Sequence, residues 1–216
     1  MTTSGRSYDL KNALDDLPIF PLRQLVFFPN TMLPLHVFEA RYRRMLADCL
    51  ETHGAMAVVR VDPRDRTSEG IARVAGAGIV VHHEALPDGR SNLVLAGAAR
   101  VLLEELPFCP PYRRARARVL EPVHTHVTDE DHAALVAAAT DFVREVRRYD
   151  TDFSFELPSS RGPGILADVC AAHLIVDADV RQRLLEELDD AARVRAVIEE
   201  LAAQRLSLGD RSRVLH

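Results

Sequence analysis

The sequence predicts an α+β protein, because strand signals fill its first half and helix signals fill its second half. Between residues 17 and 123, short apolar runs alternate with proline and glycine, which is typical of strands separated by turns. After residue 123 the spacing of apolar residues changes from two to about 3.6. A run of strands followed by a run of helices favours an α+β or two-lobed fold over a doubly wound sheet.

Eight short strands and one inserted helix are predicted in the first half. The strands are expected at residues 19–22, 25–28, 57–61, 71–74, 79–83, 92–96, 101–105 and 113–120. Asp88-Gly89 predicts a hairpin, because such turns need a positive φ that glycine adopts at low cost. The inserted helix is predicted over 36–53, where apolar residues recur at spacings of three and four before Gly54.

Four helices are predicted in the second half. Thr128 is expected to cap the first, which carries three acidic residues in its first turn. Pro163 is expected to begin the second after a long loop, Asp177 to cap the third, and the fourth to end near Gly209. The predicted organisation is a flexible tail over 1–16, a β lobe over 17–123, a helical lobe over 124–209 and a tail over 210–216.

Composition places the chain among ordinary globular proteins. It has 216 residues, of which 47% are apolar and 27% charged, and its formal net charge of -5 disfavours general binding to nucleic acid. No apolar run approaches the roughly 20 residues that cross a bilayer. The polar first sixteen residues lack the apolar region of a secretory signal, so we expect a cytoplasmic protein without membrane contact.

Three motifs near the amino terminus form the most specific pattern in the chain. They are Leu17-Pro18-Ile19-Phe20-Pro21-Leu22, Val26-Phe27-Phe28-Pro29 and Leu33-Pro34-Leu35-His36-Val37-Phe38-Glu39. Later motifs follow in the chain: Asp88-Gly89-Arg90, Pro111-Tyr112, Leu166-Ala167-Asp168 and Ala171-Ala172-His173-Leu174. In this order they resemble the amino-terminal, substrate-binding domain of Lon proteases, over about residues 17–206.

The resemblance implies a PUA-like β pseudo-barrel with one inserted helix, followed by a C-terminal helical bundle. In Lon proteases this domain captures unfolded or tagged polypeptides for a motor and a serine protease elsewhere in the chain. The pattern is similar to bacterial proteins that consist of this domain alone. It therefore implies a binding module for exposed apolar polypeptide segments, adaptor-like or chaperone-like, whose partners are unfolded polypeptides; a homodimer stays open.

Catalysis is not expected from this sequence. A Lon-type peptidase needs a serine activated by a lysine, and the single lysine, Lys11, precedes the first predicted strand. The chain carries no G-x-x-x-x-G-K-[ST] phosphate loop and no G-x-S-x-G elbow. A hydrolase of another type stays open as a further alternative, and no cofactor or metal is expected.

A candidate peptide-binding site is predicted around the aromatic residues near the amino terminus. Alternate residues of a strand point to opposite faces, so one of Phe27 and Phe28 is expected to point elsewhere, into a second core or toward solvent. An exposed apolar patch with an adaptable methionine and a charged rim would capture non-native chains. The alternative is that most of these residues are core. The candidate residues are Phe27, Phe28, Met32, Phe38, Glu39, Arg41 and Tyr42.

A row of arginines supplies the alternative function, an RNA-binding PUA-like protein. Arg114, Arg116 and Arg118 alternate with small apolar residues, so a strand would present three guanidinium groups on one face. Such a face could bind anions. Glu104 and Glu105 on a neighbouring strand would instead make it an ordinary solvated surface, and the row lacks the interleaved aromatics of single-stranded nucleic-acid platforms.

Overall fold

The computed structural model describes residues 9–61, 70–158 and 161–214, with side chains in the last helix described as far as residue 208. The chain divides into two compact units, the first ending at Leu120 and the second beginning at Glu121. This division lies three residues before the boundary predicted at 123. The strand-rich first unit and the helical second unit confirm the α+β prediction.

Six strands and one α-helix build the first unit. The strands are β1 Leu17–Leu22, β2 Met32–Val37, β3 Ala55–Arg60, β4 Val74–Ala85, β5 Ser91–Glu105 and β6 Arg114–Leu120, and helix α1 spans Ala40–Glu51 between β2 and β3. The sheet order is β2-β5-β4-β3-β1-β6, and an additional pairing between β5 and β6 closes five of the strands into a barrel. Only the β1–β3 pair is parallel among the pairings of the described strands.

Strand β5 serves two neighbours along one edge. Its first half pairs with β2, from Ser91 to Ala96, and its second half pairs with β6, from Arg100 to Glu105. The predicted strands 92–96 and 101–105 are therefore one continuous strand. The predicted Asp88-Gly89 turn is confirmed: it joins β4 to β5, and Gly89 has a φ of 82°.

Three predictions near the amino terminus are wholly or partly wrong. Residues 25–28 form no strand, whereas Met32–Val37, which contains Pro34, forms β2. The helix predicted over 36–53 begins only at Ala40, because His36 and Val37 still belong to β2. The predicted tail over 1–16 is also partly wrong, since a 3-10 helix spans Leu10–Ala13 and its end residues are buried against the barrel.

Three glycines explain why the segment 25–30 is drawn into the core. A Cβ at Gly76 would collide with the carbonyl oxygen of Phe27, one at Gly78 with the Phe27 ring, and one at Gly97 with the carbonyl oxygen of Phe28. The missing side chains thus let the segment lie directly on β4 and β5. Backbone hydrogen bonds from Asn30 N–H to the Gly97 carbonyl and from Gly97 N–H to the Thr31 carbonyl hold it there.

Four helices form the second unit: α2 Asp129–Val146, α3 Pro163–Leu174, α4 Ala178–Glu186 and α5 Asp190–Val214. The predicted caps are confirmed, since Thr128 Oγ1 accepts a hydrogen bond from Asp131 N–H and Asp177 Oδ1 accepts from Asp179 and Val180 N–H. The last helix was predicted to end near Gly209, with a tail over 210–216. This prediction is wrong for residues 210–214, because α5 continues to Val214. One interior glycine costs a helix only about 1 kcal/mol, which its neighbours offset.

A buried cation lies at the centre of the helical unit. The Arg193 side chain is 2% exposed; its Nε lies 2.9 Å from Asp168 Oδ1 and its Nη2 lies 2.5 Å from Asp190 Oδ1. Its Nη1 also donates to the Glu187 carbonyl at 2.7 Å. These contacts join α3, the end of α4 and the start of α5, so they fix how three helices meet.

Loss of the α4 cap gives a modest and measurable effect. We expect Asp177→Ala to lower the free energy of unfolding by about 1 kcal/mol, because two amide groups lose their acceptor. Urea unfolding followed by circular dichroism measures this. Glu199→Ala, which removes an exposed carboxylate from the interior of α5, is the control and should change stability by less than about 0.5 kcal/mol. Equal midpoints for the two variants would contradict the capping role.

Candidate functional site

One face of β2 is open to solvent. Met32, Pro34 and His36 are exposed, whereas the residues between them are half-buried or buried, as the two-residue period of a strand requires. Phe38 continues this series just beyond the strand, with its ring stacked on His36 at a centroid separation of 6.2 Å. We call these four residues the β2 row.

The β2 row has an apolar end and a polar end. On the adjacent strand β5, Ala96 lies opposite Met32, Val94 opposite Pro34 and Asn92 opposite His36. Met32 and Phe38 are both 60% exposed and belong to one row on the same face, unlike apolar residues scattered singly over a surface. The apolar end therefore presents a methionine over two small aliphatic neighbours.

Hydrogen bonds across three strands fix the polar end. Asn92 Nδ2 donates to Glu84 Oε2 on β4 at 3.1 Å, which leaves the Asn92 oxygen facing His36 Nδ1 at 2.8 Å. Arg90 lies 3.5 Å from the other ring nitrogen of His36 and forms an ion pair with Asp88. The orientation of His36, and of the Phe38 ring stacked on it, is set by this network.

The predicted charged rim lies beside Phe38 but is internally neutralised. Glu39 and Arg41 form an ion pair at 2.9 Å on the surface. The Arg41 guanidinium also lies over the Tyr42 ring, 4.5 Å from its centroid. The rim adds no net charge, so the apolar side chains dominate the chemistry of this surface.

Three of the predicted peptide-site residues are not accessible. Phe27 and Phe28 are 2% and 0% exposed, and Tyr42 is buried against Phe20 with ring centroids 4.5 Å apart. Neither of the two adjacent phenylalanines reaches solvent, so the solvent-exposed alternative is excluded, and residues 25–28 form an irregular segment rather than the regular strand that the prediction assumed. Burial also raises the pKa of Tyr42, which keeps its hydroxyl neutral.

Sequence reasoning missed Pro34 and His36 as members of the exposed row. The row consists of every second residue from Met32 to Phe38, which is the period of a strand. This period is hard to recognise in the sequence, because almost every residue of the segment is apolar and no polar residues mark the exposed face. The proline also argues against a strand unless the strand lies at an edge.

The arginine row has the predicted geometry and is partly neutralised. Arg114, Arg116 and Arg118 lie on β6 with their neighbours Ala115 and Ala117 buried. Arg114 forms an ion pair with Asp16 at 2.6 Å, and Arg116 lies 3.9 Å from Glu104 on the paired strand β5. A surface shared with carboxylates is a weaker anion site than three unpaired guanidinium groups.

The described residues contain neither a cluster of metal-ligating side chains nor a membrane-spanning helix. Within residues 9–61, 70–158 and 161–208, no three histidine, cysteine, aspartate or glutamate side chains gather as they would around a metal ion. None of the helices in the described part of the chain combines the length and the apolar character needed to cross a bilayer.

A closed barrel with an extra exposed strand, followed in the chain by a helical unit, is the architecture of Lon amino-terminal domains. The N terminal domain of Mycobacterium avium complex Lon protease matches 87% of this chain and 98% of its own, with a TM-score of 0.64 and 15% identity. A Lon N-terminal domain protein from Xanthomonas campestris gives a TM-score of 0.65 at 19% identity, covering 85% and 97% of the two chains.

The chain belongs to the ATP-dependent protease La (LON) substrate-binding domain family, which it matches over residues 16–203. It is 30% identical to a Lon protease of Anaeromyxobacter dehalogenans over 200 residues and 31% identical to Lon protease 2 of Sorangium cellulosum over 202 residues. Each match covers 88% of this chain but only 23% and 25% of the relative. The chain thus spans about a quarter of the length of these relatives.

Proposed function

We propose that this protein is a non-catalytic binding module for exposed apolar segments of unfolded polypeptides, acting in the cytoplasm as an adaptor or chaperone-like factor. The observation that carries the proposal is the exposure of Met32 and Phe38, each 60% accessible on the β2 row. Membership of a substrate-binding domain family supports the same reading. The β2 row is the surface that would contact the client.

The chemistry of the β2 row suits clients that share no sequence. Apolar contacts are non-directional, and a methionine side chain adapts to many shapes. Burying Met32 and Phe38 would contribute about 1.5 to 3 kcal/mol each, before the cost of ordering the client is subtracted. A binding free energy of this size corresponds to weak and reversible binding, which a module that releases its client to another protein requires.

Removal of the two apolar anchors tests the proposal. We expect the double variant Met32→Ser and Phe38→Ser to bind a fluorescently labelled, reduced and unfolded model polypeptide at least about tenfold more weakly, because about 1.4 kcal/mol corresponds to a factor of ten. Fluorescence anisotropy at two salt concentrations measures the affinity. Binding through apolar contact should persist at the higher concentration.

Phe108→Ser is the matched control. Phe108 is an equally large aromatic residue, 64% exposed, in the connection between β5 and β6. Its variant should bind the polypeptide as the unchanged protein does, and circular dichroism should show that all variants remain folded. Equal affinities for the double variant and the control would refute the proposal.

Two other experimental results would favour a different function for this protein. Binding of short RNA that collapses with salt and depends on Arg118 would favour the arginine row. Hydrolysis of casein by the purified protein would show that it is an enzyme.

A further inference from the structure

Strand β2 has one hydrogen-bonding edge that no other strand in the described part of the chain occupies. Each of the other five strands has two neighbours in the closed barrel, whereas β2 pairs with β5 alone among the described strands. A strand edge of this kind carries unpaired N–H and C=O groups and is a template for a further extended chain. The β2 row lies on the same strand, so edge and apolar face are adjacent.

The register shows which backbone groups face the free edge. Gly97 N–H donates to the Thr31 carbonyl at 2.8 Å, which extends the β2–β5 ladder by one residue. In an antiparallel pair, only alternate residues bond to the neighbour, so residues 31, 33 and 35 face β5. The backbone groups of Met32, Pro34 and His36 therefore point away from β5.

Proline at position 34 agrees with this assignment. Proline has no N–H to donate, so it is tolerated in a strand where that position faces outward. The free edge thus offers three carbonyl acceptors but only two N–H donors, those of Met32 and His36. A pairing strand would lose one hydrogen bond at Pro34, which limits the ladder and keeps binding weak.

We propose that the client segment binds in extended conformation, as an added antiparallel strand hydrogen-bonded to the free edge of β2. This inference rests on the proposed function and specifies its substrate class: non-helical segments with apolar residues at alternate positions. Client residues opposite Met32, Pro34 and His36 would have their side chains on the same face as the β2 row. Their N–H groups would point to β2.

The same edge is a poor match for a second copy of this chain. A pairing of β2 with β2 would bring in Pro34 twice and lose two donors, whereas a client without proline loses one. The edge is therefore assigned to a heterologous peptide. Backbone recognition of this kind also explains how clients without a common sequence could bind, because every non-proline residue offers the same groups.

Backbone methylation of the client tests this directly without altering the protein. The probe is a fluorescein-labelled decapeptide of alternating valine and serine with lysines added at its ends. Two derivatives carry N-methyl groups on all valines or on all serines, so they match in side chains and in methyl count. We expect methylation at valine to weaken binding at least about tenfold and methylation at serine to leave it within about threefold, because only the valine N–H groups face β2.

The outcomes separate this inference from the proposed function. If the two methylated derivatives bind with the same affinity, whether or not that affinity is lower than that of the unmodified decapeptide, strand addition is overturned. The capture of unfolded polypeptides by the β2 row would not be affected by that result. Failure of both the unmodified decapeptide and the unfolded polypeptide to bind would overturn both proposals. A dimer in analytical ultracentrifugation that the decapeptide dissociates would assign the edge to a second copy and so overturn the assignment to a client.

Discussion

Replacement of Arg193 by alanine is expected to lower the free energy of unfolding of the helical unit by about 3 to 5 kcal/mol. The Arg193 side chain is buried beside Asp168 and Asp190, so its removal takes a guanidinium counter-charge away from both carboxylates in an interior where hydration is lost. The Glu187 carbonyl would also lose its guanidinium donor. Urea unfolding followed by far-UV circular dichroism measures the change.

Arg195→Ala is the matched control for this prediction. Arg195 lies two residues further along α5, is 55% exposed in its side chain and approaches Asp131 only to 3.8 Å. An exposed pair of this kind contributes less than about 1 kcal/mol. The double variant Asp168→Asn and Arg193→Met, which removes Arg193 together with the more buried of its two carboxylate partners, should recover part of the lost stability. Similar unfolding midpoints for Arg193→Ala and Arg195→Ala would be incompatible with the central role of Arg193.

The second large effect concerns the close contact between β4 and the segment that precedes β2. We expect Gly76→Ala to destabilise the first unit by about 3 kcal/mol or more, beyond the usual overpacking cost, because the new methyl group would meet the backbone carbonyl of Phe27. A backbone atom cannot rotate away as a side chain can. The whole segment would have to lift from the barrel, exposing Phe27 and Phe28.

Gly162→Ala provides the comparison, because a Cβ at Gly162 meets no atom within 4 Å. Gly162 is the residue before α3, where alanine costs at most about 1 kcal/mol relative to glycine. Soluble yield, urea unfolding and binding of a dye that detects exposed apolar surface report the outcome. A Gly76→Ala protein as stable as the Gly162→Ala protein would show that the segment can be displaced at little cost.

Local signals were sufficient to predict much of the fold. The turn at Asp88-Gly89 and the caps at Thr128 and Asp177 depend on residues within a few positions of one another, and each is confirmed. The arginine row was predictable for the same reason, since one strand and its alternation define it. The resemblance of the motifs to a known family supplied the order of the elements.

Long-range contacts explain the errors. The burial of both Phe27 and Phe28 depends on glycines at positions 76, 78 and 97, which lie far away in the sequence and leave room for the segment only in the folded barrel. No periodicity within residues 25–28 contains that information. The candidate site was therefore only half predictable: Met32 and Phe38 are exposed as required, but which of their neighbours share that face depends on the pairing with β5.

The pairing of β5 with β2 in its first half and with β6 in its second half limits where the chain length of this domain can change. An insertion or deletion of one residue near Gly97 would move the side chains in one half of β5 to the opposite face of the sheet relative to the other half. Either the half that pairs with β6 in the barrel or the half that pairs with β2 would then present the wrong side chains to the core. Changes in chain length should therefore accumulate in the connection between β5 and β6 and be purged from β5 itself. Natural diversification of clients is then expected to proceed by exchanging side chains at positions 32, 34, 36 and 38, with the register conserved.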